Sequence, residues 1–112
     1  GHISMESNLI NHTIVEFPSE EYLELRKREL LDVSDDFFAK ASKMGMLRYT
    51  ISKIWNRTET NKLCFTFEYK DEKSYKQCQK FIEEWQRTTD NSSVPRKVFA
   101  NRGIIIAEYK SE

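Results

Sequence analysis

The sequence predicts an α+β fold with its elements in the order β-α-β-β-α-β. Three observations carry that expectation. Leu63, Phe65, Phe67 and Tyr69 alternate with Cys64, Thr66 and Glu68, the period of a half-buried strand. Asp71 follows at once, a residue type whose carboxylate accepts hydrogen bonds from the free N–H groups of a new helical turn. Tyr75, Cys78, Ile82 and Trp85 then recur at steps of three and four, which gathers them on one face of a helix over residues 72–88.

The other elements follow in chain order. Residues 9–17 alternate as a first strand, with Leu9, Thr13, Val15 and Phe17 on one face and Ile10, His12, Ile14 and Glu16 on the other. Pro18 ends it, Ser19 is a good N-cap, and Glu20 and Glu21 complement the positive end of the helix dipole. Tyr22, Leu23, Leu25, Leu30 and Leu31 supply an apolar side. Ser34 before Asp35 and Asp36 reads as a second cap, so residues 19–44 are expected either as one helix or as two, broken near Asp32 and resumed through Phe37, Phe38, Ala41 and Met44. Gly45 suits the helix C-terminus. Residues 48–56 form a second strand with Tyr49, Ile51 and Trp55 on one face, and residues 57–62 turn the chain into the third strand. Residues 89–95 are a polar loop. A last strand is expected within residues 97–109, strongest at 104–107, with Gly103 as a bulge or break. This order is the split βαβ, or ferredoxin-like, arrangement. It implies a four-stranded antiparallel sheet of order 4-1-3-2 with both helices on one face. The other face must then meet solvent, a ligand or a second molecule.

A chain of 112 residues is expected to be one domain. Residues 1–4 resemble a cloning remnant before Met5, which leaves residues 5–112 as the domain and His12 as its one histidine. Charges balance at 18 against 18, so the chain has no net basic field for a nucleic-acid backbone. No run of about 18 apolar residues exists to span a membrane. Cys64 and Cys78 fall on faces that point apart, which predicts reduced thiols and a cytoplasmic location. Asn-x-Ser/Thr sequons at Asn11, Asn56 and Asn91 are what a chain rich in these residues contains by chance.

Residues 44–52, MGMLRYTIS, form a Gly-containing turn into the second strand; FTFEYKDEKSYKQCQKFIEEW forms the third strand and its helix; an apolar strand closes the chain. Together these resemble the dimeric α/β-barrel superfamily, in particular the antibiotic-biosynthesis monooxygenases. The resemblance implies sheets closing face to face into a barrel between two subunits, with pockets between sheet and helices. It carries no catalytic motif. The haem-degrading branch uses an Asn, a Trp and an iron-ligating His on its second helix; here that helix has no His, and Trp85, Cys78 and Asn11 do not rebuild the set.

Candidate chemistry is sparse. His12 and Glu16 share a strand face about 13 Å apart, too far for contact but suited to opposite walls of a lumen. With Glu68, Thr66, Ser52 and Arg48 they outline a polar sheet face. His12 is the candidate catalytic residue, because imidazole exchanges a proton near neutrality. Trp55 and Arg48 are the candidate substrate-binding residues, a flat apolar wall and a fork for an anionic group. The competing account leaves His12 in solvent, Trp55 in a core or dimer contact and Arg48 in a surface ion pair. One histidine, two separated cysteines and scattered acids match no usual metal-ligand spacing, and no Gly-rich phosphate loop exists. RNA-recognition modules share the element order, but their open sheet face carries aromatics where this chain puts Cys64, Thr66 and Glu68. The sequence therefore leads to a small-molecule binder or cofactor-free, monooxygenase-like enzyme acting on a planar oxidisable substrate, working as a homodimer. The alternative is a non-enzymatic interaction or regulatory module on the same scaffold.

Overall fold

The computed structural model describes residues 8–111, so the remnant expected at residues 1–4 lies outside the described residues. The elements are β1 (Leu9–Phe17), α1 (Glu20–Ser42), β2 (Met46–Lys53), β3 (Asn61–Tyr69), α2 (Glu72–Thr88) and β4 (Lys97–Ile104). The strands form one antiparallel sheet of order β2-β3-β1-β4, the ferredoxin-like topology read from the sequence. Both helices pack on the same face: α1 lies over β1, β2 and β3, and α2 over β2 and β3. The edge strand β4 is left without a helix above it and is exposed throughout.

Local chemistry explains the boundaries. The Ser19 hydroxyl accepts from the Tyr22 N–H at 3.3 Å and starts α1; the Asp71 carboxylate accepts from the Ser74 N–H at 2.7 Å and starts α2. Hydrogen bonding from Ser74, by its side chain and its backbone N–H, holds the Asp71 carboxyl below its usual range. Of the two courses open for residues 19–44, the structure shows one continuous helix. Ser34 does not cap a second one, because its hydroxyl donates back to the Leu30 carbonyl at 2.6 Å within the same helix. The buried stripe of α1 is Leu23, Arg26, Leu30, Phe37 and Ala41, whereas Leu25 and Leu31 are exposed. An arginine thus occupies a core position of the helix.

The second and fourth strands differ from expectation. β2 stops at Lys53, so Trp55 lies beyond it and is 86 % exposed. β4 stops at Ile104, and Ile106 beyond it is 93 % exposed. Apolar character at 104–107 did not make a strand core because no helix covers that edge. Gly103 makes no bulge: the β1–β4 register is continuous from Leu9↔Ile104 to Glu16↔Lys97. The irregularity falls instead in β2, between Met46 and Arg48.

Two apolar clusters fill the space under the helices. One joins Val15, Phe17, Leu23, Leu30, Leu63, Phe65 and Val94; the other joins Phe37, Ala41, Met46, Tyr69, Cys78 and Trp85. Gly45 links α1 to β2 with a φ of +103°, and its carbonyl accepts from the Lys70 N–H at 2.9 Å. A Cβ at Gly45 would collide with the Ser74 side chain at the start of α2, whereas one at Gly103 would meet only Ile10 Cγ2 at 3.7 Å. Gly45→Ala is therefore expected to cost roughly 3 kcal/mol. Gly103→Ala is expected to stay within about 0.5 kcal/mol of the parent chain. Urea unfolding of both variants measures the contrast.

Candidate ligand-binding cavity

A cavity of about 440 Å³ lies between the helix-bearing face of the sheet and the two helices. Its walls are aromatic in the middle. Phe37 of α1 stands 5.2 Å from Tyr49 of β2 and 5.8 Å from Trp85 of α2, ring centroid to ring centroid. Tyr49 stacks on Phe67 of β3 at 5.0 Å. Val15, Leu30, Val33 and Ile82 complete the apolar lining.

Polar groups collect at two ends. At one end Arg26, 5 % exposed, makes a bidentate pair with Asp90, Nη1 to Oδ1 at 2.6 Å and Nη2 to Oδ2 at 2.7 Å. Glu29 Oε1 accepts from Arg26 Nη1 at 3.3 Å and from the Ser92 hydroxyl at 2.6 Å. This network ties the middle of α1 to the loop between α2 and β4. Burial alone would lower the Arg26 pKa; the hydrogen bonds and charges of Asp90 and Glu29 outweigh it and leave the guanidinium above its ordinary value. Arg96 stands at the same end. Its burial, then the nearby Arg26 charge, hold it below the ordinary arginine value, and its Nη1 donates to the Val94 carbonyl at 3.1 Å.

At the other end are Asn11, Tyr69, Gln79 and Arg102. Asn11 of β1 sits opposite Phe67 on one side and Arg102 on the other. Its amide oxygen accepts from the Thr13 hydroxyl at 2.6 Å. Tyr69 is fully buried, and its hydroxyl has no hydrogen-bond partner among the described residues. Burial raises the pKa of both cavity phenols; Tyr49 is pushed up to about 12, and Tyr69 is raised as well. Burial likewise raises the Cys78 thiol, whose Sγ donates to the Ala41 carbonyl at 3.7 Å, so it behaves as a core residue.

None of the three site residues named from the sequence lines this cavity. His12 is exposed on the opposite face, with Nδ1 3.4 Å from Thr66 Oγ1. Arg48 lies on that open face too, with Nε 3.8 Å from Glu68 Oε2. Trp55 projects beyond β2, and the three do not converge. Phe65 and Phe67 face the helices, as their alternation implied. The residues that do build the cavity left two legible signals. Asn11 and Thr13 interrupt the inward face of β1 between Leu9 and Val15, and Arg26 interrupts the apolar stripe of α1. The Asp90 partner, 64 residues away in the chain, left none. Among the described residues no group of three His, Cys, Asp or Glu side chains gathers to hold a metal ion, and no helix is long and apolar enough to cross a membrane.

Comparison with known proteins bears out the ferredoxin-like fold that the resemblance implied. A sequence profile described as a domain of unknown function, DUF6974, matches residues 6–105. No curated protein matches the chain by sequence. Among solved structures, a dimeric ferredoxin-like protein from an uncultured marine organism is 29 % identical, covers 94 % of this chain and all of its own, and superposes with a TM-score of 0.86. A second dimeric ferredoxin-like protein from an uncultured marine organism is 18 % identical over 93 % of this chain and all of its own, with a TM-score of 0.84. A monooxygenase of Streptomyces coelicolor, solved in complex with nanaomycin D, is 7 % identical over 97 % of this chain and 96 % of its own, with a TM-score of 0.67.

The cavity phenols give a pH signature. Tyr49 and Tyr69 are two of five tyrosines. Their raised ionisation means that the unfolded chain releases protons first as pH climbs, so stability falls as pH rises from the ordinary tyrosine value through the Tyr49 value of about 12. Titration of phenolate absorbance is expected to show these two groups ionising late, with Tyr49→Phe removing one late component and flattening the alkaline loss of stability.

Proposed function

The chain belongs to the DUF6974 family, whose description assigns no activity, and from its own geometry we propose that the cavity binds a planar, oxidisable aromatic molecule. In this reading the protein is a small-molecule binder of the cofactor-free, monooxygenase-like type. The observation that carries it is the cavity itself. Its volume of about 440 Å³ falls in the range of small-ligand sites, and its aromatic walls with polar ends fit a fused-ring compound better than a flexible chain. The monooxygenase solved with nanaomycin D supports it, because that protein uses the same fold to hold an organic ligand.

The second sheet face has a separate role in this proposal. Ile10, Ile14 and Phe99 form an apolar line among His12, Thr66, Glu68 and Arg48, and Phe99 is 51 % exposed. The related ferredoxin-like proteins are dimeric, and a homodimer that stacks these faces would bury that line. His12 and Arg48 then belong to the subunit contact, and the cavity lies on the other side of each sheet.

Two measurements test these assignments. Trp85 lines the cavity and Trp55 does not, and they are the only tryptophans. In a Trp55→Phe background, naphthalene- and anthracene-type quinols are expected to quench Trp85 saturably. Ala100→Tyr, which fills the cavity wall on β4, is expected to weaken that quenching at least tenfold; quenching that is absent or unchanged would remove the cavity reading. Light scattering across micromolar dilution is expected to give twice the 13.4 kDa chain mass, reduced to the monomer mass by Phe99→Asp.

A further inference from the structure

Three groups at the end of the cavity away from Arg26 can donate hydrogen bonds, and the described residues offer them nothing to donate to. Asn11 is 6 % exposed; its amide oxygen accepts from the Thr13 hydroxyl, and its NH₂ group has no acceptor among the described residues. The fully buried Tyr69 hydroxyl has no partner among the described residues. Arg102 makes no ion pair with any described carboxylate. It stands opposite Asn11 in the β1–β4 ladder, and its charge acts on the Tyr69 phenol. Tyr69 and Asn11 are diagonal neighbours across the β1–β3 ladder, since Tyr69 pairs with Leu9 and Phe67 with Asn11. Such neighbours lie about 7–8 Å apart, within reach of one shared ligand atom for side chains of this length.

Of the three, the Tyr69 hydroxyl is buried, and a buried donor without an acceptor is costly, so native proteins rarely keep one unless something else supplies the acceptor. The charge count agrees. The chain as a whole is neutral, yet three arginines and one aspartate line the cavity, and that aspartate is already held by Arg26. Arg96, the other unpaired cation, sits six residues before Arg102, about 20 Å along the strand, so Arg102 alone serves this end.

We propose that Asn11, Tyr69 and Arg102 form an oxyanion-binding niche, and that the cavity selects planar aromatic ligands carrying an acidic oxygen, held as the carboxylate. This rests on the cavity being the ligand site. The apolar rings take the aromatic body between Phe37, Phe67 and Trp85, and the niche fixes which end points toward β4. Tyr69 remains a donor across the physiological range, because its burial opposes loss of the proton.

The experiment compares naphthalene-2-carboxylate with the isosteric naphthalene-2-carboxamide, by Trp85 quenching in the Trp55→Phe protein. The carboxylate is expected to bind at least tenfold more tightly. Arg102→Gln, at an exposed position, is expected to erase that preference while leaving carboxamide binding within twofold. Tyr69→Phe is expected to weaken the carboxylate several-fold and to melt no earlier than the parent, since it deletes a hydroxyl that has no partner among the described residues. Equal affinity for the two probes overturns the niche and leaves the cavity reading standing. Binding of neither removes both. A Tyr69→Phe protein that melts several degrees earlier shows that the hydroxyl is bonded within the chain, and overturns the niche independently of any ligand.

Discussion

The structure turns on the inward face of β1. This central strand is hydrogen-bonded on both sides, and its helix-facing side chains reach the middle of the domain. Val15 and Phe17 are apolar there and anchor one core cluster. Asn11 and Thr13 are not, and they hydrogen-bond each other instead of packing against a helix. Apolar side chains attract from every direction and close space; a buried amide must keep a partner or remain beside something that can provide one. The two clusters therefore gather on either side of these polar positions, and the cavity is the space neither cluster closes.

The Arg26–Asp90 pair keeps that space open at the other end. Arg26 stands where the α1 stripe calls for a leucine, and a buried guanidinium without an acceptor would be strongly destabilising. Asp90 and Glu29 satisfy it, and Ser92 fastens Glu29 to the loop that leads into β4. The pair is weak evidence for added stability, since an apolar pair of the same volume could pack as well. Its geometric effect is specific: it ties the middle of α1 to the loop that leads into β4. A single uninterrupted α1 is required for this, because Arg26 and Phe37 must keep one angular relation along the same rod.

The sheet separates two tasks. Its covered face holds the aromatic cavity, and its open face holds the Ile10, Ile14 and Phe99 line with His12 and Arg48 beside it. Strand alternation enforces the separation, because neighbouring residues on a strand cannot reach the same side. His12 and Asn11 are adjacent in the chain, yet one is exposed on the open face and the other is buried in the cavity. The same alternation carries Asn11 into the buried sheet, which leaves no room for a glycan at its sequon. The imidazole of His12 is thereby kept away from the aromatic cavity.

The sequence by itself determined the elements whose signals are local. The cap at Asp71 and the three-and-four spacing of α2 defined that helix, and the alternation of β3 assigned Phe65 and Phe67 to the helix side, because caps and periodicity act over a few residues. Local signals also misplaced what depends on cover. Residues 104–107 look like core and are not, because β4 ends at an edge with no helix above it, and Trp55 looks like a wall and is not, because β2 stops two residues earlier. Ser34 reads from its neighbours as a cap, and the structure instead holds it inside one helix that packs continuously through Leu30, Phe37 and Ala41. The cavity belonged wholly to the tertiary structure. Its groups come from β1, α1, β3, the α2–β4 loop and β4, and contacts such as Arg26 with Asp90 join residues 64 apart, a distance over which no pattern of neighbouring residues carries information.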